Sequence, residues 1–166
     1  MNFSRQLKCI GSLTGITLLV ACGGNSDPIT KELNRHLEVD IQDFDVDKSS
    51  LYPGQSLRIE WRSEGAVLFD ARLYLSEDRT ISNSDIRVID EECGVEHNDH
   101  CHAAREVEFT CDFDSDNYFS CYEDGDNIGA EDLTEYLTQL PFENYLILEL
   151  CSHGDCETRI TRLTFY

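Results

Sequence analysis

Short runs in which apolar and polar residues alternate recur along the sequence, and they limit the possible folds more than any other feature. The run from Leu57 to Arg62 has an apolar residue at every second position, and similar runs begin near Leu37, Phe69 and Val107. A period of two places successive side chains on opposite faces of a β-strand. Some seven short strands separated by turn residues predict an all-β fold, either an antiparallel sandwich or a barrel.

Two details refine this pattern. In the run that begins near Leu37, the alternation changes parity between Ile41 and Phe44, which indicates a β-bulge or a bend. The stretch Tyr145–Leu150 is apolar at nearly every position, which is typical of a strand in the middle of a sheet.

Two segments favour short helices instead. Asp27 followed by Pro28 is a helix-start signal, with Asp as the cap and Pro in the first turn. The apolar residues from Ala130 to Leu140 recur at helical spacing, and Pro141 would end that helix. We therefore expect one or two short helices beside the strands.

The N-terminal segment has the features of an export signal. Arg5 and Lys8 precede the apolar run Ile10–Val20, and the small residue Ala21 stands before Cys22. The run is too short, and too interrupted by Gly, Ser and Thr, for an uncleaved membrane span of about 20 residues. We expect the segment to be removed.

The sequence Leu19-Val20-Ala21-Cys22 resembles the lipobox of bacterial lipoproteins. The resemblance implies a signal peptide over residues 1–21 and a Cys22 thiol that carries fatty acid, such as palmitate, at the start of the mature chain. Residues 22–28 would be the lipidated cysteine and its tether, and residues 29–166 one domain. Gly23 after the cysteine implies sorting to the outer membrane, on either its periplasmic or its outward face.

Six cysteines remain after the signal cysteine and Cys22 are set aside: Cys93, Cys101, Cys111, Cys121, Cys151 and Cys156. An even number in an exported chain indicates disulfides. Because the six fall into three close pairs, we predict bonds between nearest neighbours. Pairing Cys111 with Cys121 also places Phe113 opposite Phe119, which predicts a hairpin stapled by a disulfide.

The charge of the chain excludes some partners. The formal net charge is −20, and the segment Glu106–Glu157 contains fifteen acidic residues and no Lys or Arg. Such a surface repels phosphate backbones and anionic lipid headgroups, so nucleic acid is an unfavourable partner. Cations or basic proteins of the cell envelope fit better, and the membrane would be reached through the lipid anchor.

Two stretches resemble immunoglobulin-like domains. The run Arg72-Leu73-Tyr74-Leu75-Ser76-Glu77-Asp78, with Ile81, Ser84-Asp85 and Val88 after it, resembles the signature of the bacterial cell-adhesion-related (CARDB) domains. Leu140-Pro141, with Tyr145 and Ile147 after it, resembles the tyrosine corner of immunoglobulin and fibronectin type III sandwiches, where the hydroxyl bonds nearby backbone. The resemblance implies an Ig-like or fibronectin III-like antiparallel β-sandwich that binds or spaces and has no catalytic site.

The acidic loop is a candidate calcium site. Asp112, Asp114 and Asp116, followed by Glu123, have the ligand spacing of an EF-hand loop, and Asp124 and Asp126 add further carboxylates. An EF-hand requires flanking helices, whereas the preceding residues alternate like a strand. Both a cation-binding loop and a solvated acidic loop remain open interpretations.

The segment that contains His97, His100 and His102 is a candidate zinc or copper site. If Cys93 and Cys101 are bridged, the imidazoles are left without thiolate partners. A transition-metal site and a surface loop pinned by a disulfide are both consistent with the sequence.

No enzyme signature is present. Ser152, His153 and Asp155 are the residue types of a hydrolase triad, but one tight turn cannot align nucleophile, base and orienting acid. We expect a membrane-anchored extracytoplasmic lipoprotein that acts as a non-catalytic binding or structural module. The alternative is a calcium- or transition-metal-binding protein, and no cofactor other than calcium in the acidic loop is expected.

Overall fold

The computed structural model describes residues 38–66, 68–94, 101 and 106–166. Within these ranges the chain forms ten strands and no helix, so the prediction of an all-β fold is confirmed. The strands are β1 (Val39–Val46), β2 (Ser50–Leu51), β3 (Gln55–Gly65), β4 (Phe69–Ser76), β5 (Ile86–Cys93), β6 (Glu106–Phe113), β7 (Tyr118–Glu123), β8 (Asp126–Asp132), β9 (Phe142–Ser152) and β10 (Asp155–Phe165). Sheet A has the order β1-β3-β6-β7-β8 and sheet B the order β2-β10-β9-β4-β5.

The two sheets pack through the apolar faces that the alternation predicts. In β6 every second residue from Val107 to Phe113 is buried, and the residues between them are exposed. Phe113 and Phe119 of sheet A meet Phe165 of sheet B edge to face, with ring centroids 4.9 Å and 5.9 Å apart. Each fully buried large side chain stabilises the fold by about 2 kcal/mol, so this apolar layer holds the sheets together.

Several predicted local features are present. The pairing of β1 with β3 shifts register between Ile41 and Asp43, which confirms the bulge. The apolar strand β9 lies inside its sheet between β10 and β4. Phe113 pairs with Phe119 across the β6–β7 hairpin, as the stapled-hairpin prediction requires. All pairings are antiparallel except the short parallel contact of β2 with β10.

The two sheets approach closely along the edge formed by β8 and β5, because the side chains on the inner face of sheet A become smaller toward β8. One row of paired residues crosses the sheet through Leu57, Cys111, Cys121 and Gly129. A Cβ on Gly129 would lie 1.9 Å from the carbonyl oxygen of Val88 in β5. Glycine is therefore required at this position, since any larger residue would force the backbones of β8 and β5 apart.

Side chains of sheet B hold the opposite edge. The Ser152 hydroxyl accepts a hydrogen bond from the Val39 amide, and the Glu157 carboxylate accepts one from the Ile41 amide at 2.5 Å. Arg159 donates to the Ile41 carbonyl at 2.8 Å. Side chains of sheet B thus bond the backbone groups at the start of edge strand β1 that the sheet ladders leave without a partner.

One predicted helix is wrong. The segment 130–140 continues strand β8 to Asp132 and then turns, with the amides of Tyr136 and Leu137 bonded to the Leu133 carbonyl. Leu133 is fully buried, so its apolar character serves the core between the sheets and does not mark a helical face. Pairing of β8 with β7 overrides the local helical spacing.

The first predicted helix, after Pro28, lies outside the described residues, as do the signal segment and Cys22. Among the residues that are described, there is no helix of sufficient length and hydropathy to span a membrane.

Candidate functional site

The acidic hairpin spreads its carboxylates apart. Asp112 lies on the outer face of β6, and the Asp114 carboxylate in the turn accepts hydrogen bonds from the amides of Asp116 and Tyr118 at 2.9 Å each. Glu123 lies at the far end of β7. The flanking strands are a hairpin, so the helices of an EF-hand are absent from this described segment.

These predicted calcium ligands do not converge. Within the described ranges, three acidic, His or Cys ligand atoms come within 4.8 Å of one another only at Glu149, Cys151 and Cys156. Both of those cysteines are in a disulfide and offer no thiolate. The calcium spacing in the sequence therefore becomes a turn in which Asp114 supplies the backbone cap.

The three imidazoles of the second candidate metal site, His97, His100 and His102, lie outside the described residues. Their neighbours Cys93 and Cys101 are joined, and the Gly94 amide donates a hydrogen bond to the Cys101 carbonyl at 3.0 Å. Neither sulfur is a thiolate ligand in this state.

The described residues contain three disulfides, and all three join nearest neighbours as predicted: Cys93–Cys101, Cys111–Cys121 and Cys151–Cys156. Their surroundings differ. The first two pairs are buried, whereas Cys156 of the third is exposed and Cys151 is 8% exposed. The third bond is therefore the one that solvent reaches.

Ser152, His153 and Asp155 form the turn next to that third bond. Ser152 is buried, and its hydroxyl oxygen accepts the Val39 amide. His153 has a φ of 52°, in the left-handed region that tight hairpins use. The three residues shape a turn, and Ser152 holds the start of β1.

An ion-pair network that the sequence analysis missed occupies the outer face of sheet B. Arg72 of β4 contacts three carboxylates, those of Asp70 at 2.8 Å, Asp90 at 3.1 Å and Glu149 at 3.3 Å. Arg87 reaches Asp90 at 2.9 Å. The network joins three neighbouring strands, β5, β4 and β9, on one face. Its only sequence signal is that Asp70 and Arg72 share one face of a strand.

The network shifts two pKa values. Partial burial acts to lower the pKa of Arg72, but its hydrogen bonds to Asp90 and Glu149 outweigh that effect and hold the pKa above the ordinary value. Burial, followed by repulsion from Glu149, raises the pKa of Tyr74. Both groups keep their protonated forms over the whole physiological range.

The same guanidinium lies beside the exposed disulfide. Arg72 Nη1 donates a hydrogen bond to Cys151 Sγ at 3.7 Å while it also contacts Glu149. Sheet register explains the contact, because Cys151 pairs with Asp70 and Glu149 pairs with Arg72. A cation in this position favours negative charge on sulfur.

The outer face of sheet A is more acidic. Asp45, Glu60 and Glu108 form one row across β1, β3 and β6, and Arg58 reaches Glu60 at 3.2 Å and Glu108 at 3.9 Å. Beside this row is a cleft of about 130 Å³, lined by Asp43, Glu60, Trp61, Arg62 and Glu106. The row offers more carboxylates than its arginine neutralises.

Tyr145 has a different partner from the one that the tyrosine-corner resemblance implies. Its ring lies under Arg79, whose guanidinium carbon is 5.4 Å from the ring centroid. Among the described residues, its hydroxyl makes no hydrogen bond to backbone.

No protein-family model and no curated protein matches this sequence. A β-glucosidase from Erythrobacter marinus is among the solved structures with a similar segment, at 16% identity and a TM-score of 0.34. The match covers 78% of this chain and 15% of the glucosidase, so the chain spans a small part of that enzyme. At this TM-score the likeness assigns neither a fold nor a function.

Proposed function

We propose that this chain is a lipid-anchored extracytoplasmic protein whose Ig-like β-sandwich is a non-catalytic binding or structural module of the cell envelope. The observation that carries the proposal is the order of the strands in the two sheets. The N-terminal sequence and the disulfides support an extracytoplasmic location, and the negative charge supports a basic protein as the partner.

The strand order supports the Ig-like assignment. Immunoglobulin sheets have the orders A-B-E-D and C-F-G. The order β1-β3-β6 in sheet A corresponds to A-B-E, and β10-β9-β4 in sheet B corresponds to G-F-C, with β5 in the place of an added C′ strand. The β7–β8 hairpin departs from the pattern, because β7 takes the place of D but follows E along the chain.

The compartment is supported by two independent features. The lipobox-like Leu19-Val20-Ala21-Cys22 indicates acylation of Cys22, and Gly23 favours the outer membrane. Structural disulfides persist in oxidising compartments and are rare in the cytosol. Three such bonds therefore agree with an exported chain.

The outer face of sheet A supports recognition of a basic protein. Its row of Asp45, Glu60 and Glu108 is only partly neutralised by Arg58, and the frame of paired strands fixes the spacing of the carboxylates. Acids on a rigid surface steer basic partners by long-range attraction and fix their orientation. The outer face of sheet B is the contrasting surface, since three arginines, Arg72, Arg87 and Arg162, pair with its carboxylates.

The anchoring is tested with the full chain in a Gram-negative host. We expect the mature wild-type protein to enter the detergent phase and to have the mass of a chain that starts at Cys22 with attached acyl groups. Cys22→Ala should abolish both properties, and Cys9→Ala, which alters a cysteine inside the signal, should leave both unchanged. A mature wild-type chain without acyl mass would refute the lipoprotein assignment.

The binding face is tested by placing a photo-reactive residue at Glu108 or, as the matched control, at the exposed Thr158 on sheet B. We expect a crosslinked adduct in cells from position 108 that weakens at high salt or with Glu60→Gln. Equal adducts from both positions would contradict a recognition surface on sheet A.

A further inference from the structure

The disulfide Cys151–Cys156 differs from the other two in its access to solvent. Cys111 and Cys121 are fully buried, and Cys93 and Cys101 are no more than 2% exposed. Cys156 is exposed on the outer face of sheet B. An attacking thiolate must reach a sulfur along the S–S axis, so exposure selects this bond for exchange in the folded protein.

The two sulfurs of this bond are not equivalent. Arg72 Nη1 donates a hydrogen bond to Cys151 Sγ at 3.7 Å, whereas the nearby Arg159 is paired with Glu157. A guanidinium stabilises a thiolate, and a thiol with a lower pKa is the better leaving group. Attack is therefore favoured at the exposed Cys156, with Cys151 as the sulfur that leaves.

Glu149 opposes Arg72 at the same position. One of its carboxylate oxygens lies within 4.8 Å of both sulfurs, and it also accepts a hydrogen bond from Arg72 Nη1 at 3.3 Å. A neighbouring carboxylate disfavours a thiolate. The reactivity of the bond is thus set by two groups of opposite charge, and changing each one should move the exchange rate in opposite directions.

We propose that Cys151–Cys156 is a thiol-exchange site at which an external dithiol reduces the bond through attack on Cys156. One thiolate of the dithiol bonds to Cys156 Sγ, the S–S bond breaks, and Cys151 leaves as a thiolate beside Arg72. The second thiol of the reductant loses its proton and attacks the mixed disulfide, which releases Cys156. The dithiol is oxidised to its disulfide, the cystine gains two electrons, and the two protons from the dithiol end on Cys151 and Cys156.

Exchange at this site acts on the edge of sheet A. The residues next to the two cysteines bond β1: Ser152 accepts a hydrogen bond from the Val39 amide, and Glu157 accepts one from the Ile41 amide. Opening the bond frees the end of the β9–β10 hairpin that positions these two acceptors. Reduction therefore loosens the first residues of β1.

The proposal is tested on the folded oxidised chain with limiting dithiothreitol, acid quenching, alkylation and peptide mass spectrometry. We expect Cys151 and Cys156 to be alkylated at least about tenfold faster than the four buried cysteines. Glutathione, a monothiol, should leave its adduct on Cys156. Simultaneous alkylation of all six disulfide-bonded cysteines, or an adduct mainly on Cys151, would overturn the proposal.

Two variants test the roles of the charges. Arg72→Gln should slow exchange about three- to tenfold, and Glu149→Gln should speed it about threefold. Arg162→Gln is the matched control, because it removes an arginine paired with Glu143 at 2.9 Å on the same sheet, away from the bond. Equal rates in the Arg72 and Arg162 variants would refute the role of Arg72. If Arg72→Gln does not fold, an unchanged or slower rate in Glu149→Gln would refute the control of the exchange rate by neighbouring charge.

The coupling to β1 has its own measurement. Hydrogen exchange of the Val39 and Ile41 amides should become faster after selective reduction, whereas the amides of β6 should remain protected. Unchanged protection of both β1 amides would show that the bond does not brace this edge.

Discussion

Two rows of paired residues, one on each sheet, use the same covalent device in opposite surroundings. On the inner face of sheet A the row is Leu57, Cys111, Cys121 and Gly129, of which the first three are fully buried and Gly129 is partly exposed. On the outer face of sheet B the row is Cys156, Cys151, Asp70 and Glu92, next to the Arg72 network. In both rows a disulfide joins directly opposed residues of a hairpin.

The difference between the rows comes from strand parity. Cys111 shares its face with Phe109 and Phe113, which point into the core, whereas Cys151 shares its face with Glu149. A shift of one residue along a strand moves a side chain to the other face of the sheet. Parity thus separates a disulfide that stabilises the core from one that remains open to chemistry.

The largest loss of stability should follow from adding a side chain at Gly129, the last residue of the inner row. In Gly129→Ala the new methyl group would lie 1.9 Å from the Val88 carbonyl oxygen and 3.0 Å from its carbon, so backbone must move. We expect a loss of about 4 kcal/mol, above the usual range for overpacking, because no flexible side chain can yield. Chemical denaturation measures the loss.

Gly125→Ala is the control for that variant. Gly125 has a φ of +93° and open space around its missing side chain, so substitution meets only the backbone penalty of about 1 kcal/mol. Equal losses in the two variants would mean that β8 and β5 do not approach as closely as the structure has them.

The second effect concerns the buried disulfide. Cys111→Ala with Cys121→Ala removes a bond between residues 10 apart in the chain and leaves space between Leu57 and Gly129. We expect a loss of about 3 kcal/mol from loop entropy and lost packing. The free energy of unfolding by urea measures it, and a loss below about 1 kcal/mol would contradict a core role.

The third effect concerns the exposed disulfide. Cys151→Ala with Cys156→Ala opens a loop of separation 5, with Cys156 already in solvent. A shorter loop and little lost packing lead us to expect about 2 kcal/mol. A loss larger than that of the buried pair would reverse the comparison between the two rows.

The sequence predicted the elements that depend on local pattern. Alternation located the strands, and close spacing with facing aromatics paired Cys111 with Cys121. It did not predict strand β8, because the apolar residues that follow Gly129 fit a helical period until pairing with β7 overrides them.

The position of the exposed disulfide could not be predicted for a different reason. The run Tyr145–Leu150 is apolar at both parities, so periodicity does not tell which face Cys151 occupies. The contact of Arg72 with Glu149 depends on β4 lying beside β9, and these strands are far apart in the chain. The contact between Arg72 and the disulfide therefore depends on non-local strand pairing, which local sequence patterns do not predict.

The smallest effect lies next to the exposed disulfide, in the pair Asp40 and Glu157. Partial burial acts to raise the pKa of Glu157, but the amide of Ile41 and the charge of Arg159 outweigh it and lower the pKa. Burial, together with the hydrogen bond and charge of Glu157, raises the pKa of Asp40. The two carboxyls therefore contribute to stability with opposite dependence on pH.

For Glu157 the folded pKa is below its ordinary value of 4.5, so its stabilisation is present above that pH and disappears as the pH falls through the folded pKa. Asp40 has the opposite sign, and its contribution is lost as the pH rises through its raised pKa.

Glu157→Gln keeps an oxygen for the Ile41 amide but removes the charge. We expect a loss below about 1 kcal/mol at neutral pH, because solvent screens the pair. In urea denaturation from neutral to acidic pH the loss should shrink below pH 4.5, whereas Glu143→Gln, at an exposed ion pair, should change stability little throughout. A loss that grows with acid would mean that repulsion from Asp40, and not the bond to β1, dominates at Glu157.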